Sequence, residues 1–472
     1  MSTVRFFRHS TRFFRHHIPT EFVVLGCIEL LVLIGSFHLG LELRFGSDSL
    51  KQVFQPFLPK ALIYSIVMLM SLIAFGAYQR HSSRSQNILA LRIGGSLLLG
   101  MVLLGMTFYA VPTFFLGRGV LMLSVLVSFT GIMVDRLLFA RIAERRDIRL
   151  RVLVLGAGAT ASLIKDAQSN GDLDGVNIIG YVPLAGDQET EDEHNLVIPP
   201  ESLINYVEEK DIDEIVLAAD DRRKGFPVQD LLDCKMSGIN VLDLLGFFER
   251  ETGKIRLDIL HPSWLFLSDG FYESTFRRAW KRSFDILVVV LLLPAVLPIM
   301  ALVAVVILIE SGGKGPVLYS QIRVSENGRL FRIHKFRSMV ENAEQDGVAR
   351  WAEQDDVRIT RVGSILRKYR FDELPQLFNV LKGEMSFVGP RPERPEFVEQ
   401  LARTVPYYNE RHRVKPGLSG WAQIRYPYGA SEDDCQEKLQ YDLYYVKNYS
   451  IFLDAFILLQ TVEVVFFGRG AR

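Results

Sequence analysis

Cysteine is scarce in this chain, and its scarcity excludes two classes of protein. Cys27, Cys234 and Cys435 are the only three in 472 residues and lie far apart, so the sequence shows neither a disulfide framework nor paired thiolate metal-ligand spacing. Net charge is also missing. Lys and Arg number 54 and Asp and Glu number 54, a balance that argues against a whole-protein nucleic-acid binder while leaving room for local basic sites. No small-residue cleavage site follows the first apolar stretch, so that stretch does not read as a cleavable signal. What the chain does have is apolar residues. They make up 49% beside 23% charged residues, with a mean hydropathy of +0.17. Soluble proteins rarely combine the two, whereas membrane segments joined to soluble domains do.

Four apolar stretches, at residues 21–42, 60–78, 90–111 and 113–134, each match the roughly 20 residues needed to cross a bilayer. Basic residues flank them unevenly. Arg5, Arg8, Arg12 and Arg15 precede the first, Arg80 and Arg84 lie between the second and third, and RIAERRDIRLR follows the fourth. Positive-inside logic then places the N-terminus and everything after Arg145 in the cytoplasm. Three of the four stretches carry Gly or Ser suited to helix packing. No intramembrane ion pair implying transport is legible, so residues 1–145 read as a four-helix anchor or dimerisation unit.

RVLVLGAGATASLI (151–164) is a strand followed by Gly156-x-Gly158 and a helix-compatible segment, the kind of turn that aims a helix N-terminus at phosphate. DIDEIVLAA and GINVLDLLG read as later buried strands, giving a Rossmann-like α/β domain over 146–250. Ala161 stands in place of the third glycine, and no acidic residue marks the end of the second strand. Tyr206 and Lys210 form a YxxxK match, but too soon after the glycines and within a solvated amphipathic helix. The expectation is a structural or regulatory domain, followed by a linker over 251–280.

KRSFDILVVVLLLPAVLPIMALVAVVILIE contains a fifth apolar run interrupted by Pro294 and Pro298. Spanning would move the remaining charged residues outside. A helix over about 283–310 that enters the inner leaflet, turns near Pro298 and returns keeps them in the cytoplasm, since proline removes helix hydrogen bonds and forces a bend. Beyond it, GPVLYSQIRV and FRIHKFRSM read as strands, the second sending Ile333, Lys335 and Arg337 to one face and Arg332, His334, Phe336 and Ser338 to the other. In the segment ILRKYRFDELPQ, one helical face is expected to set Arg367 and Arg370 beside Asp372 and Glu373. GPRP adds Arg391, and RHRVKPG adds Arg411, Arg413 and Lys415. Arginines converging on one place suit phosphate, because the guanidinium fork matches its oxygens. A carboxylate pair among them suits Mg2+ binding or nucleophilic attack on phosphorus.

KRSFD, the proline-broken apolar run, GPVLYSQIRV, FRIHKFRSM, RFDELPQLFNVLKGEMSFVGPRP, VKPGLSGWAQI and YDLYYVKNYS follow the order seen in the bacterial sugar transferase family. The chain therefore resembles the monotopic polyprenyl-phosphate sugar-1-phosphate transferases, from about residue 275 to the C-terminus. The four spans and the α/β domain ahead of it resemble the family's long form, the undecaprenyl-phosphate glucose or galactose phosphotransferases of exopolysaccharide and capsule assembly. The resemblance implies a membrane α-helical N-terminal bundle, a Rossmann-like α/β middle domain, and an α+β catalytic domain over 281–472 with a re-entrant membrane helix hairpin. It implies transfer of a sugar-1-phosphate from a UDP-sugar to undecaprenyl phosphate at the inner membrane, with UMP released. Asp372 is then the nucleophile and Glu373 helps hold Mg2+. Lys335, Arg337, Arg367, Arg391 and Arg413 are the candidates for phosphate contacts. The family turns its hairpin at a Ser-Pro step; Pro298 matches, but Leu297 replaces the serine. A homodimer through the N-terminal part is a further expectation, and no nucleic-acid partner is expected.

Two rival readings remain. A membrane-anchored sugar-nucleotide dehydratase needs a complete dinucleotide fingerprint and a properly spaced YxxxK, and the chain has neither. A non-enzymatic scaffold leaves DELPQ and GPRP without a purpose.

Overall fold

A computed structural model of the chain describes residues 10–13, 16–46, 57–78, 86–143, 149–185, 187, 196–197, 202–221, 226–271, 274–340, 356–426 and 431–466. The chain divides into two units. The first is Met1–Leu72 with Ala77–Leu260, and the second is Ile73–Gly76 with His261–Arg472.

The first unit opens with a short antiparallel pair, β1 (Ser10–Phe13) and β2 (His16–Pro19). Four long helices follow: α1 (Thr20–Phe45), α2 (Phe57–Ala74), α3 (Gln86–Ala110) and α4 (Arg118–Ala143). The fourth runs nine residues past the expected end of its apolar stretch. Leu33, Phe37, Tyr64, Met68, Ile93, Leu104 and Ile132 form the bundle interior. Leu31, Leu91, Leu98 and Met122 face outward, as side chains solvated by lipid do. These four helices and a fifth in the second unit are long and apolar enough to cross a membrane, so this is a membrane protein. The flanking Arg5, Arg8, Arg15, Arg80, Arg84 and Arg145 lie outside the described residues.

The bundle also holds a charged pair that was not legible in the sequence. Glu29 and Arg136 form a buried ion pair at 2.5 Å, with side chains 0% and 7% exposed. Tyr78 donates to the same carboxylate, and Arg136 donates a second bond to the Ala77 carbonyl at 2.7 Å. The pair was illegible in sequence because its members are 107 positions apart on different helices. Intramembrane charges persist by pairing in this way.

The rest of the first unit is a four-stranded parallel sheet of β3 (Leu150–Leu155), β4 (Val176–Val182), β5 (Glu214–Leu217) and β6 (Asn240–Asp243), in the order β4-β3-β5-β6. Helices α5 (Ala159–Ser169), α6 (Leu203–Glu209), α7 (Val228–Met236) and α8 (Leu244–Thr252) connect and cover it. Val152, Val154, Ile164, Phe247 and Phe248 fill one side of the sheet. Leu153, Leu155, Val207, Ile215 and Cys234 fill the other. Burial on both faces explains the near-continuous apolar strands. Tyr206 lies mid-helix in α6, whose buried residues are Leu203 and Val207, and Lys210 caps its end and pairs with Glu209 at the surface.

The second unit begins with α9 (Pro262–Leu267), inside the expected linker. Its Trp264 ring lies 3.9 Å from the Lys447 ammonium. Helix α10 (Thr275–Glu310) is one helix of 36 residues with Pro294 and Pro298 inside it, so no loop interrupts it where a turn was expected. Its buried residues are Asp285, Val289, Val303 and Ile307. Val289 packs with Phe331, Ile333 and Leu377, and Val303 and Ile307 pack with Phe336 and Leu366. Both flanks of the proline segment therefore pack on the same unit, while of the residues between Val289 and Val303 only Leu293, Val296 and Met300 are partly buried against it.

The remainder is an antiparallel hairpin, β7 (Leu318–Val324) and β8 (Leu330–Phe336), then α11 (Arg361–Lys368), a 3-10 turn (Phe371–Gln376) and α12 (Leu377–Lys382). Strand β9 (Ser386–Val388) pairs in parallel with β10 (Gly417–Ser419), with α13 (Pro395–Thr404) between them. Helices α14 (Trp421–Arg425), α15 (Glu432–Asn448) and α16 (Ile451–Phe466) close the unit.

Candidate active site

Strand β8, the 3-10 turn and the GPRP segment after β9 bring the charged residues together. The expected single helical face through Arg367, Arg370 and Glu373 does not form. Arg370 adopts a left-handed backbone (φ 57°), which ends α11 and redirects the chain, and Pro375 lies inside the 3-10 turn that follows. The kink nevertheless leaves Arg370 Nη1 3.4 Å from Glu373 Oε2.

Glu373 is the organiser. Its Oε1 accepts from Lys335 Nζ at 3.1 Å and from Arg391 Nη2 at 2.8 Å, so three cations converge on one buried carboxylate. Burial pushes its carboxyl up, but Arg391, Lys335 and Arg370 outweigh that and hold it well below the usual range. Asp372 is the opposite case. It is 7% exposed, and among the described residues no side chain forms an ion pair or hydrogen bond with its carboxylate. Burial raises its pKa, with Lys335 opposing and Glu373 adding to the rise. The two adjacent carboxylates are thus pushed in opposite directions. Lys335 is lowered by burial against the pull of Glu373.

The remaining sequence candidates divide. Arg367 Nε bonds Ser338 Oγ at 3.0 Å and carries a burial-lowered pKa with Asp372 its largest charge partner. Arg337 donates to the Lys314 carbonyl at 3.1 Å. Arg413 points outward, its side chain 66% exposed and paired with Glu410 at 2.9 Å. Arg411, two residues earlier, is the buried one. Its Nη2 donates to the Arg391 carbonyl at 3.0 Å, its Nη1 to Tyr408 Oη at 2.7 Å, and it pairs with Asp442 at 2.7 Å. It thus holds the turn that presents Arg391. Strict alternation distinguishes faces, but not which of two nearby arginines a 3-10 turn (Tyr408–Arg413) faces inward.

Helix α10 is fastened to β9, the strand that leads into the Arg391 turn. Asp285 Oδ1 accepts from Ser386 Oγ and Phe387 N, both at 2.9 Å. Lys281 Nζ donates to Asp454 at 2.6 Å, Tyr445 Oη at 2.9 Å and the Val388 carbonyl at 3.1 Å. At its other end, Glu310 accepts from Thr360 Oγ1 and Val362 N, both at 2.9 Å, capping the helix that leads into the acidic pair. Gly389 and Gly417 have no side chains because β9 and β10 approach so closely that a Cβ on either would strike the other's backbone or its neighbour's. The sequence offered Arg411 as one of several converging arginines rather than as a support, and Asp442, Lys281 and Asp454 were not legible as supports, since each acts through a partner distant in sequence.

For magnesium, the donor set offers one unengaged carboxylate, Asp372, while Glu373 is engaged by Lys335 and Arg391. Among the described residues no group of three acidic, His or Cys side chains gathers to cage a metal. That fits Mg2+, which keeps several waters and binds through one or two carboxylates plus substrate phosphates.

Comparison with known proteins adds the following. A family model described as bacterial sugar transferase matches residues 276–468, and one described as a CoA-binding domain matches residues 73–223. The chain is similar to the UDP-N-acetylgalactosamine-undecaprenyl-phosphate N-acetylgalactosaminephosphotransferase of Aeromonas hydrophila, 45% identical over 242 residues, 51% of this chain and 56% of that relative. It therefore spans just over half of that relative's length. It is similar to the UDP-glucose:undecaprenyl-phosphate glucose-1-phosphate transferase of Xanthomonas campestris pv. campestris, 26% identical over 98% of this chain and 97% of that one. It also matches the uncharacterized sugar transferase EpsL of Bacillus subtilis (strain 168), 38% identical over 41% of this chain and 90% of the relative.

Proposed function

Because the chain belongs to the bacterial sugar transferase family, we propose that it moves a sugar-1-phosphate from a UDP-sugar to undecaprenyl phosphate, with Asp372 as nucleophile. One observation carries the reading: a buried, unengaged Asp372 carboxylate beside a cluster of cations gathered on Glu373. An Asp372 oxygen attacks the phosphorus that bears the sugar. The bond from that phosphorus to the bridging oxygen breaks, and UMP leaves with the electron pair. An oxygen of the lipid phosphate then attacks the same phosphorus, and Asp372 departs as a free carboxylate.

Lys335, Arg391 and Arg370 stabilise the negative charge that grows on the phosphate oxygens in both steps. They cost no reorganisation at that moment, because Glu373 already holds them. Arg367, beside Asp372 in charge though bonded to Ser338, adds to the field. Asp372 would hold a magnesium ion, which would supply Lewis-acid neutralisation of the diphosphate. Glu373 would join the ion only by releasing Lys335 or Arg391.

The lipid acceptor requires the site to lie at a membrane surface. Helix α10 supports this as a re-entrant helix: Val289 at one flank and Val303 and Ile307 at the other pack on the same unit, most of the apolar residues between them stay exposed, and proline permits a bend. The basic flanks of the spans support a cytoplasmic, inner-membrane location for the catalytic chemistry in this reading.

The test is UMP release by purified protein with Mg2+, undecaprenyl phosphate and a panel of UDP-sugars that includes UDP-glucose, UDP-galactose and UDP-N-acetylgalactosamine. The expected result is release from one sugar, abolished in Asp372→Asn and by chelation, and restored by Mg2+. Mass spectrometry of the parent with donor alone should find the phospho-sugar on the peptide containing Asp372. Release that persists in Asp372→Asn would move the nucleophile elsewhere.

A further inference from the structure

The α/β domain carries the Gly156-x-Gly158 turn at the start of α5, and a family model for a CoA-binding domain overlaps it. In dinucleotide-binding folds the amide groups of such a turn receive a diphosphate. In this chain those amides already have anionic partners of the protein's own making. Ala159 N donates to Asp220 Oδ2 at 3.1 Å and Thr160 N to Asp220 Oδ1 at 2.8 Å. Ala157 N donates to Asp187 Oδ2 at 2.9 Å. Asp187 also accepts from Leu184 N at 3.0 Å and from Asp220 N at 3.2 Å.

The topology explains why two carboxylates reach one turn. Strands β4 and β5 flank β3 in the sheet. Asp187 follows the end of β4, and Asp220 follows the end of β5, so each stands at the carboxyl edge where a ligand of such a sheet sits. The glycines fit this arrangement too. A Cβ on Gly158 would overlap the Asp220 carboxylate, and one on Gly156, whose φ is +128°, would overlap the Ala218 carbonyl. Gly158 is small to admit Asp220.

We infer that the Gly156–Thr160 turn holds no phosphate of CoA or of a nucleotide, because Asp187 and Asp220 occupy that place as an internal clasp joining the ends of β3, β4 and β5. A diphosphate entering the turn would have to displace two carboxylates of its own sign and surrender five hydrogen bonds. The glycine motif in this chain is thus a structural device, and the CoA-binding description of the matching family does not carry over to this turn.

The experiment uses the full-length protein in detergent, with pyrophosphate and CoA as probes and thermal unfolding of the α/β domain as the readout. Millimolar pyrophosphate or CoA should leave the parent's unfolding temperature unchanged. The variant Asp187→Ala/Asp220→Ala should unfold at lower temperature and be raised by pyrophosphate, at least a tenfold gain in its binding. If the parent is raised as much as the variant, the clasp does not exclude phosphate and the inference falls. A variant that is not destabilised, or is destabilised yet deaf to pyrophosphate, also overturns it. Should the variant fail to fold, hydrogen exchange of residues 156–161 in the parent decides. Slow exchange without ligand, unchanged by either probe, supports the clasp; protection gained on adding a probe defeats it.

Discussion

Replacing Arg411 and Asp442 together separates holding the fold from aiming Arg391. The two side chains are 7% and 3% exposed and 2.7 Å apart. Asp442→Leu alone strands a guanidinium in the interior, a loss of about 3–5 kcal/mol, which lowers Tm by roughly 6–20 °C in a domain of this size. Apolar residues in place of both partners of a buried pair are commonly neutral. The variant Arg411→Met/Asp442→Leu/Tyr408→Phe, in which Tyr408 loses the hydroxyl that Arg411 serves, should therefore return to within about 1 kcal/mol of the parent. It cannot restore the 3.0 Å bond from Arg411 to the Arg391 carbonyl. A group misplaced by about 1 Å costs on the order of a hundredfold in rate. The expected outcome is near-parental unfolding in detergent with transfer of labelled sugar-phosphate to lipid reduced about a hundredfold. A stable triple variant with full transfer would refute the positioning role. A triple as unstable as Asp442→Leu would refute the ion-pair account.

Other perturbations test separate parts of the molecule. Asp372 must be ionised to attack, and burial raises its pKa with Glu373 adding to the rise, so transfer should fail on acidification earlier than an ordinary carboxylate would dictate. Glu373→Gln should slow transfer yet move that acid limb to lower pH, and an unmoved limb in the pH–rate profile would contradict the coupling. His412 is held neutral, its pKa lowered to about 3 by burial and by Arg411. Above the unfolded value of 6.5 its contribution is complete. As pH falls from 6.5 toward 3 the unfolded chain gains a proton the folded one refuses, costing up to about 1.4 kcal/mol per pH unit. His412→Gln should flatten that loss in unfolding measured between pH 7.5 and pH 5. In the helix bundle, Arg136→Leu strands Glu29, so Glu29→Leu/Arg136→Leu should accumulate as folded protein better than either single variant, a comparison made by size-exclusion yield.

Patterns local in sequence were legible without coordinates. Runs of about 20 apolar residues gave four membrane helices, because the bilayer sets their length whatever their neighbours. Doubly buried strands around Val152 and Ile215 marked a parallel sheet, because burial on both faces demands continuous apolar residues. DELPQ and GPRP marked two segments that the fold brings together, Glu373 of one accepting from Arg391 of the other.

What sequence left undecided depends on partners brought close only by folding. Arg411 and Arg413 are alike in composition and neighbourhood, and only the packing of a 3-10 turn buries the first against Asp442 and turns the second to Glu410. The Glu29–Arg136 pair joins the first and fourth helices, and no periodicity along one chain records which faces of two helices meet. The glycine turn shows the limit most sharply. Its spacing is that of a phosphate site, yet Asp187 and Asp220 close it from neighbouring strands. A sequence motif fixes the backbone shape of a turn, but which anion fills it depends on side chains that the sheet brings from elsewhere.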